Sequence, residues 1–316
     1  MLDTVRPIRP SHRALFPTWR GDVPYRNRLT VVRAALLARS PGLAAAIVHL
    51  PFARFEAAHH PSPAVHCYRW VPAPARGALD TIPAALRPAW LCALLLDRME
   101  QADTAFAASG LDDEFALHYT DCFHRILDQI DRDPGFADIA RDDFLKDLWI
   151  TRCVMIPAFA SILWPRSGLS GRQVIRGGVR AIDYVVRQCG GRRPMIEGHT
   201  HDPMARAYWN ERGWQETMRL CALALIGQPH LRGSFGIAWY YDPAVLEITP
   251  KLAFTHRLQI GRGACRFRIG SSQATINHAL AASAARRNRH AEGRYLPTDY
   301  AIIWSRRAMI AAHGPR

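Results

Sequence analysis

The runs MIEGHTH (195–201), ERGWQETMRLCALALI (211–226) and SFGIAWYY (234–241) decide the fold class. The first reads as a strand, set off from what precedes it by Gly190-Gly191. The second places Trp214, Met218, Cys221 and Leu225 at helical spacing on one face. The third reads as a strand stopped by Asp242-Pro243. Further on, Cys265 to Ile269 alternates arginine with apolar residues, the pattern of a half-exposed strand. Ile276 to Arg289 reads as a helix with Gly293 as its C-cap. Asp299 to Ser305 reads as a last strand, with Tyr300, Ile302 and Trp304 on one side.

Towards the N-terminus the texture is helical. Ser40-Pro41 reads as an N-cap and first-turn proline opening a helix through Leu50. Pro88 opens another, to about Ser109, and Asp112 caps a third in which Phe115, Tyr119, Cys122, Ile126 and Ile130 recur at steps of three and four. Helical stretches are predicted near 142–163 and 172–188. Residues 1–28, rich in Arg and Pro, read as an irregular arm. The expectation is an α+β chain: an arm over 1–28, a helical domain over 29–190, and an α/β domain over 191–316 that carries the candidate site.

Composition narrows the class. Hydrophobic residues make up 49% of the 316 and charged residues 22%, which is globular composition. The most apolar run, 148–165, is interrupted by Arg152 and Pro157 and reads as buried core, so no membrane span is expected. The N-terminus MLDTVRPIRPSHR has no apolar h-region, and seven widely spaced cysteines without a CxxC point to free thiols. A cytoplasmic protein is expected. Of 41 basic residues only Lys146 and Lys251 are lysines, an arginine bias that discounts the net charge of +14. Its distribution says more. Residues 97–147 hold 14 acidic and 5 basic residues, whereas 251–316 hold 2 acidic and 12 basic. Either the two surfaces face each other, within the fold or across a homodimer, or the basic end receives an anionic ligand.

Three constellations could carry chemistry. On a strand, Glu197, His199 and His201 point the same way. They suit acid–base work, with Asp242 as a further catalytic candidate, or a metal site of His199, His201 and Asp202. On the third helix, in the set Glu114, His118, Asp121 and His124, the first three lie within about 60° of one another. With Asp97, Glu100 and Asp103 opposing them they are the residue types of a helical di-iron site, although the spacing is Glu-x-x-x-His and not Glu-x-x-His. A solvated polar face is expected there. At the basic end, Arg266 and Arg268 share a strand face, and RIGSSQAT puts Ser271 and Ser272 before a helix N-terminus. With Arg286 these could bind a small anionic substrate. Trp239, Tyr240 and Tyr241 could line an acyl pocket. The stretch GRGAC at 261–265 is neither a P-loop nor a Rossmann fingerprint.

The segments EGHTHDP, NERGW, GSFGIAWYYDP, ITPKLAF, RFRIGSS, SAARRNRHAEGRYLPTDY and IIWSRR, from Ile196 to Arg306, resemble a bacterial protein family known only by its pattern. The order strand, helix, strand, helix, strand is also similar to the late half of GNAT-type N-acyltransferases. In that family acyl-CoA phosphates sit on a Gln/Arg-x-x-Gly-x-Gly/Ala loop. DPMARAYWNERGW stands at the corresponding place without that motif, and GRGA at 261–264 follows Leu258 where Gln or Arg would stand. The resemblance implies a biosynthetic acyltransferase with an acyl-CoA or an acyl-carrier protein as donor. His199 or Glu197 would be the general base, and Arg266, Arg268 and Arg286 would hold an anionic group. The rivals are a metal-dependent enzyme and a non-enzymatic anion or nucleic-acid binder acting through the basic end. Nucleic acid is disfavoured by the acidic middle and by the lack of a motif.

Overall fold

A computed structural model describes Trp19 and residues 23–60, 67–201, 208–281 and 283–315. The chain is mixed α+β, with a helical N-terminal half followed by a six-stranded mixed sheet with interspersed helices. It divides into two compact units, and the main break falls between Val154 and Met155.

The N-terminal unit is built on α1 (Val23–Arg39), α5 (Arg87–Glu100), α7 (Glu114–Arg132) and α8 (Asp142–Thr151), with the shorter α2 (Leu43–His49), α3 (Phe52–Ala58), α4 (Ala73–Asp80) and α6 (Ala102–Ala107) between them. The stripe on α7 is buried as its spacing predicts: Phe115, Tyr119, Cys122, Ile126 and Ile130 are all in the core. Trp19, Phe106, Tyr119 and Phe123 meet there, mostly edge to face. Two expectations need correcting. Residues 23–28, assigned to the arm, begin α1. Ser40-Pro41 does not cap a helix, because α2 starts after Gly42, whose φ of 88° only glycine adopts freely.

The largest correction concerns 152–163. These residues leave the helix at Arg152 and form a hairpin of β1 (Ile156–Ala158) and β2 (Ser161–Ser167). Cys153 and Phe159 both take φ of 53°, which ends the helix and turns the hairpin. A continuous apolar run does not distinguish a buried helix from a buried strand, and Phe-Ala is an unusual two-residue turn. The sheet therefore begins well before Gly190.

In the C-terminal unit α9 (Gly171–Arg176) and α10 (Gly178–Asp183) precede β3 (Met195–Thr200), α11 (Glu211–Gly227) and β4 (Gly233–Ala238). After short helical turns come β5 (Cys265–Gly270), α12 (Gln273–Ala281), α13 (Ala284–Ala291), β6 (Asp299–Ser305) and α14 (Arg306–His313). The expected helix over 276–289 is thus broken in two, and Ser283 caps its second half through the Arg286 N–H. Gly293 follows with φ of 69°. The strand order is β1-β2-β3-β4-β6-β5. Every neighbouring pair is antiparallel except β3 and β4, which are parallel and joined by α11. From β3 onward the order is strand β3, helix α11, strand β4, short helical turns, strand β5, helices α12 and α13, strand β6 and helix α14.

Register assigns the faces. Opposed residues share a face, so Leu163, Gly198, Ser234, Gly236, Trp304, Ile302, Arg266 and Arg268 form one side. Glu197, His199, Phe235, Ile303, Cys265 and Phe267 form the other. That second face buries a cluster with Val174, Ala181, Val185 and Cys189. Among the described residues no single helix is long and apolar enough to cross a membrane.

Candidate functional site

The parallel strands β3 and β4 pair only at Ile196↔Ser234 and Glu197↔Phe235. Beyond that point the ladder between them stops, although β3 runs on to Thr200 and β4 to Ala238. Each strand keeps its outer partner, β2 on one side and β6 on the other. The last halves of β3 and β4 therefore present backbone groups to a gap in the middle of the sheet. Glycines stand on both sides of it, Gly198 and Gly236.

Beneath the gap lies a cavity of about 30 Å³. Its walls are Leu163, Met218, Cys221, Ile302, Trp304 and Met309, with Trp214, Tyr240 and Tyr241 alongside. Gly198 and Gly236 line it, and His199 and Phe235 border it at the gap, although their side chains belong to the opposite face. A Cβ on Gly236 would stand 3.0 Å from the Tyr241 hydroxyl oxygen, so glycine lets the Tyr241 ring lie against the strand. Burial, and then neighbouring Tyr240, holds the Tyr241 hydroxyl proton well above the ordinary tyrosine range. Tyr241 is thus a neutral donor at the cavity wall. Aromatic rings crowd beside it: Trp209, Trp214 and Tyr240 stand with centroids 4.9 to 6.2 Å apart.

The structure separates residues expected to work together. His199 and Glu197 lie side by side on β3, with Nε2 and Oε2 3.7 Å apart, and Ser167 donates to the Glu197 carboxylate. Arg266 and Arg268 belong to the other face, two strands beyond the gap. The arginine pair and the β3 histidine therefore do not flank one cleft. A link does exist on the arginine side. Arg266 donates to His256 Nδ1 at 2.8 Å, and His256 Nε2 stands 2.9 Å from the Tyr240 carbonyl. Arginine can only donate and a carbonyl can only accept, so His256 is the neutral Nε2–H tautomer. Burial, and then the Arg266 charge, lowers its pKa, while the bond to the Tyr240 carbonyl works the other way. Sequence reading missed His256. Its flanking residues, FTHRLQ, carry no motif.

Other candidates have structural occupations. Arg286 is 3% exposed; it donates to the Ala279 carbonyl and the Thr249 hydroxyl, and its guanidinium carbon sits 4.3 Å over the Trp239 ring. The expectation that Arg286 faces a substrate is thereby corrected: it ties α12, α13 and the Trp239 turn together. Trp239 is the platform for that cation. Asp242 caps the short helix Pro243–Ile248 through the Ala244 N–H. Burial raises its pKa, offset by that N–H and by the Arg266 and Arg268 charges. Ser271 donates to the Pro297 carbonyl, and Ser272 meets Thr275 at the start of α12. Thr275 in turn donates to Asp299, so a carboxylate of the chain stands where an anion was expected. Arg268 is exposed and has no carboxylate partner among the described residues.

His201 is 2% exposed, and its N–H donates to the Ala160 carbonyl. Asp202, the third member of the alternative metal set, lies outside the described residues, as do residues 203–207 of the stretch compared with the acyl-CoA loop. Among the described residues no three His, Cys, Asp or Glu side chains are placed to share a metal ion. On α7, Asp121 is exposed, and the opposing carboxylates are held by arginines, Asp103 by Arg26 and Glu100 by Arg33. That helix face is a polar surface. Compared with family models, curated proteins and solved structures, the chain matches none.

Proposed function

We propose that the C-terminal unit is an acyltransferase that takes its acyl group from a thioester, acyl-CoA or acyl-carrier protein, and passes it to an amine. The observation that carries this reading is the parting of β3 and β4 directly above a cavity. Both carriers present their thioester on a thin, extended arm with amide groups along it. An arm of that kind can lie between two strand edges and exchange backbone hydrogen bonds with them, as an added strand does. Its thioester would then sit at the cavity mouth.

The residues there suit the chemistry. His199 borders the gap and is the candidate base that takes the proton from the attacking amine. The amine nitrogen forms a bond to the carbonyl carbon, the C–S bond breaks, and the leaving thiolate takes up the proton that His199 removed from the amine. Tyr241, kept protonated by burial, is the candidate hydrogen-bond donor to the leaving sulfur. Arginines of the C-terminal unit give the approaching phosphate or acidic carrier a favourable field. The resemblance to GNAT-type enzymes supports the same reading.

The test is thiol release from acetyl-CoA and from acetyl-N-acetylcysteamine, followed colorimetrically with a panel of amines. Turnover is expected with at least one pairing, and His199→Ala should lower kcat by about 10²-fold or more. No thiol release with any amine, or full activity in His199→Ala, would refute the assignment.

A further inference from the structure

The donor's acyl group is the part of the substrate about which the cavity is most informative, and the argument rests on the acyltransferase reading. Trp214 stands on the buried face of α11 and is 2% exposed. Its ring is fixed by Trp209 at 5.1 Å, Phe254 at 6.2 Å and Tyr241 at 6.5 Å between centroids. The indole N–H is buried without a hydrogen-bond partner. Buried tryptophans ordinarily find one, because an unmet donor carries its full desolvation cost. Trp214 also lines the cavity below the gap. An unmet donor beside an empty space is a place made for an acceptor atom.

The space itself limits what brings that atom. A water needs about 10–15 Å³ by the same measure, so about 30 Å³ admits only a few non-hydrogen atoms. The walls are mainly apolar, with Leu163, Met218, Cys221, Trp304 and Met309. Of the polar residues that also line it, Ser161 and Ser234 among them, Gln259 donates to the Thr255 carbonyl and accepts from the Trp304 indole. Thr217 is already committed, its hydroxyl donating to the Ala158 carbonyl or the Gly213 carbonyl. A group that is apolar, short and carries one acceptor fits both features.

We propose that this cavity is the acyl subsite, that it takes an acyl group of two or three carbons, and that the Trp214 indole N–H donates to that group's carbonyl oxygen. Met218 and Met309 close the far side and set the length limit. Trp214 is then a residue that touches the reacting carbonyl and polarises it for attack.

The experiment uses N-acetylcysteamine thioesters of acetate, propionate, butyrate and octanoate, ¹³C-labelled at the carbonyl, with the full chain. These probes carry the end common to both carriers, and binding needs no acceptor. Calorimetry is expected to show acetyl and propionyl bound at least tenfold more tightly than octanoyl. Infrared spectra should show the bound carbonyl stretch at lower wavenumber in the wild type than in Trp214→Phe, which keeps a ring and removes the N–H. Met218→Ala should relax the length limit, so that butyryl binds more tightly relative to acetyl than it does in the wild type. The wild-type length profile needs no variant, so a misfolded variant does not rescue the idea. Equal affinity at all lengths would overturn the size limit while leaving acyl transfer standing. An identical carbonyl stretch in Trp214→Phe would overturn the hydrogen bond. No binding of any thioester would mean that the cavity holds water alone, and would remove the acyltransferase reading as well. Thioesters bound through CoA but never through N-acetylcysteamine would place recognition outside the cavity and overturn the subsite.

Discussion

Arginine is abundant in both units, but the two units use it differently. In the N-terminal unit it meets carboxylates from distant parts of the chain: Arg26 with Asp103, Arg28 with Asp128, Arg33 with Glu100, Arg125 with Asp147, and both Arg98 and Arg152 with Glu56. In the C-terminal unit the carboxylate partners are mostly near neighbours in the chain, Asp183 for Arg187, Glu216 for Arg219 and Glu292 for Arg294, with Glu211 for Arg257, and other arginines meet neutral carbonyls. Arg192 donates to Leu169, Arg232 to Gly190 and Arg193, Arg286 to Ala279, and Arg306 to Leu225. A carbonyl anchors a guanidinium without cancelling its charge. Part of the acidic middle of the sequence is therefore paired with arginines of its own unit, whereas the basic end holds only two carboxylate side chains to pair with. The same residue type serves as cross-link in one unit and as charge in the other.

The sharpest way to break this contrast is Arg125→Ala. Asp147 is 4% exposed, and removing Arg125 strands its carboxylate in the core. A loss of about 3–5 kcal/mol is expected in denaturant unfolding of the N-terminal unit. A loss below 1 kcal/mol would mean that the pair is not a cross-link.

Proton linkage gives a second test. His59 lies between the rings of Phe55 and Trp149 and accepts from Arg152 at 3.0 Å. Burial, and then the Arg152 charge, lowers its pKa from 6.5 to about 3. Below 6.5 the unfolded chain takes up a proton that the folded one refuses. The contribution is thus present above pH 6.5 and is lost as pH falls from 6.5 towards 3. Urea midpoints at pH 7.5 and 4.5 should differ more in the wild type than in His59→Gln. Equal slopes would show that His59 is protonated in the folded state.

Smaller effects are expected in the C-terminal unit. In Gly236→Ala the new methyl meets the Tyr241 ring, at a cost of about 1 kcal/mol from overpacking. Thioester turnover should fall much further than stability does; unchanged turnover would separate Tyr241 from the chemistry. Arg268→Ala should alter stability by no more than about 0.5 kcal/mol. The KM for acetyl-CoA should rise and lose salt dependence, while that for uncharged acetyl-N-acetylcysteamine stays constant. A loss of stability there would make Arg268 a structural residue like those of the N-terminal unit.

Much of the fold was legible in the sequence, for reasons that differ by element. The α7 stripe and the run from Trp214 to Leu225 are periodic, and one-sided burial makes such elements readable. Strands β5 and β6 alternate or end at clear turns. The hairpin of β1 and β2 was hidden because both of its faces are covered, which erases alternation. The site was legible only in part. Tyr241 lines the cavity, and the cavity lies on the face that carries Arg266 and Arg268, whereas the His199 side chain belongs to the other face; no spacing rule on a single strand could relate β5 to β3. That relation is set by sheet order. Gly198 and Gly236 were the available signal, since a glycine inside a strand marks a bulge or a close approach. Trp214 looked like any core residue of a helix stripe, and only its unmet N–H distinguishes it.

The parted strands have a consequence for what can dock on them. An unpaired strand edge on the outside of a protein is an invitation to any other chain, and a route to aggregation. Here both open edges lie in the interior of the sheet, held back by β2 on one side and β6 on the other. Another protein's strand would bring side chains on both faces, whereas a thin filament brings none. On the acyltransferase proposal, the gap is a sieve for thickness that favours molecules which hydrogen-bond like a peptide but carry nothing on their flanks.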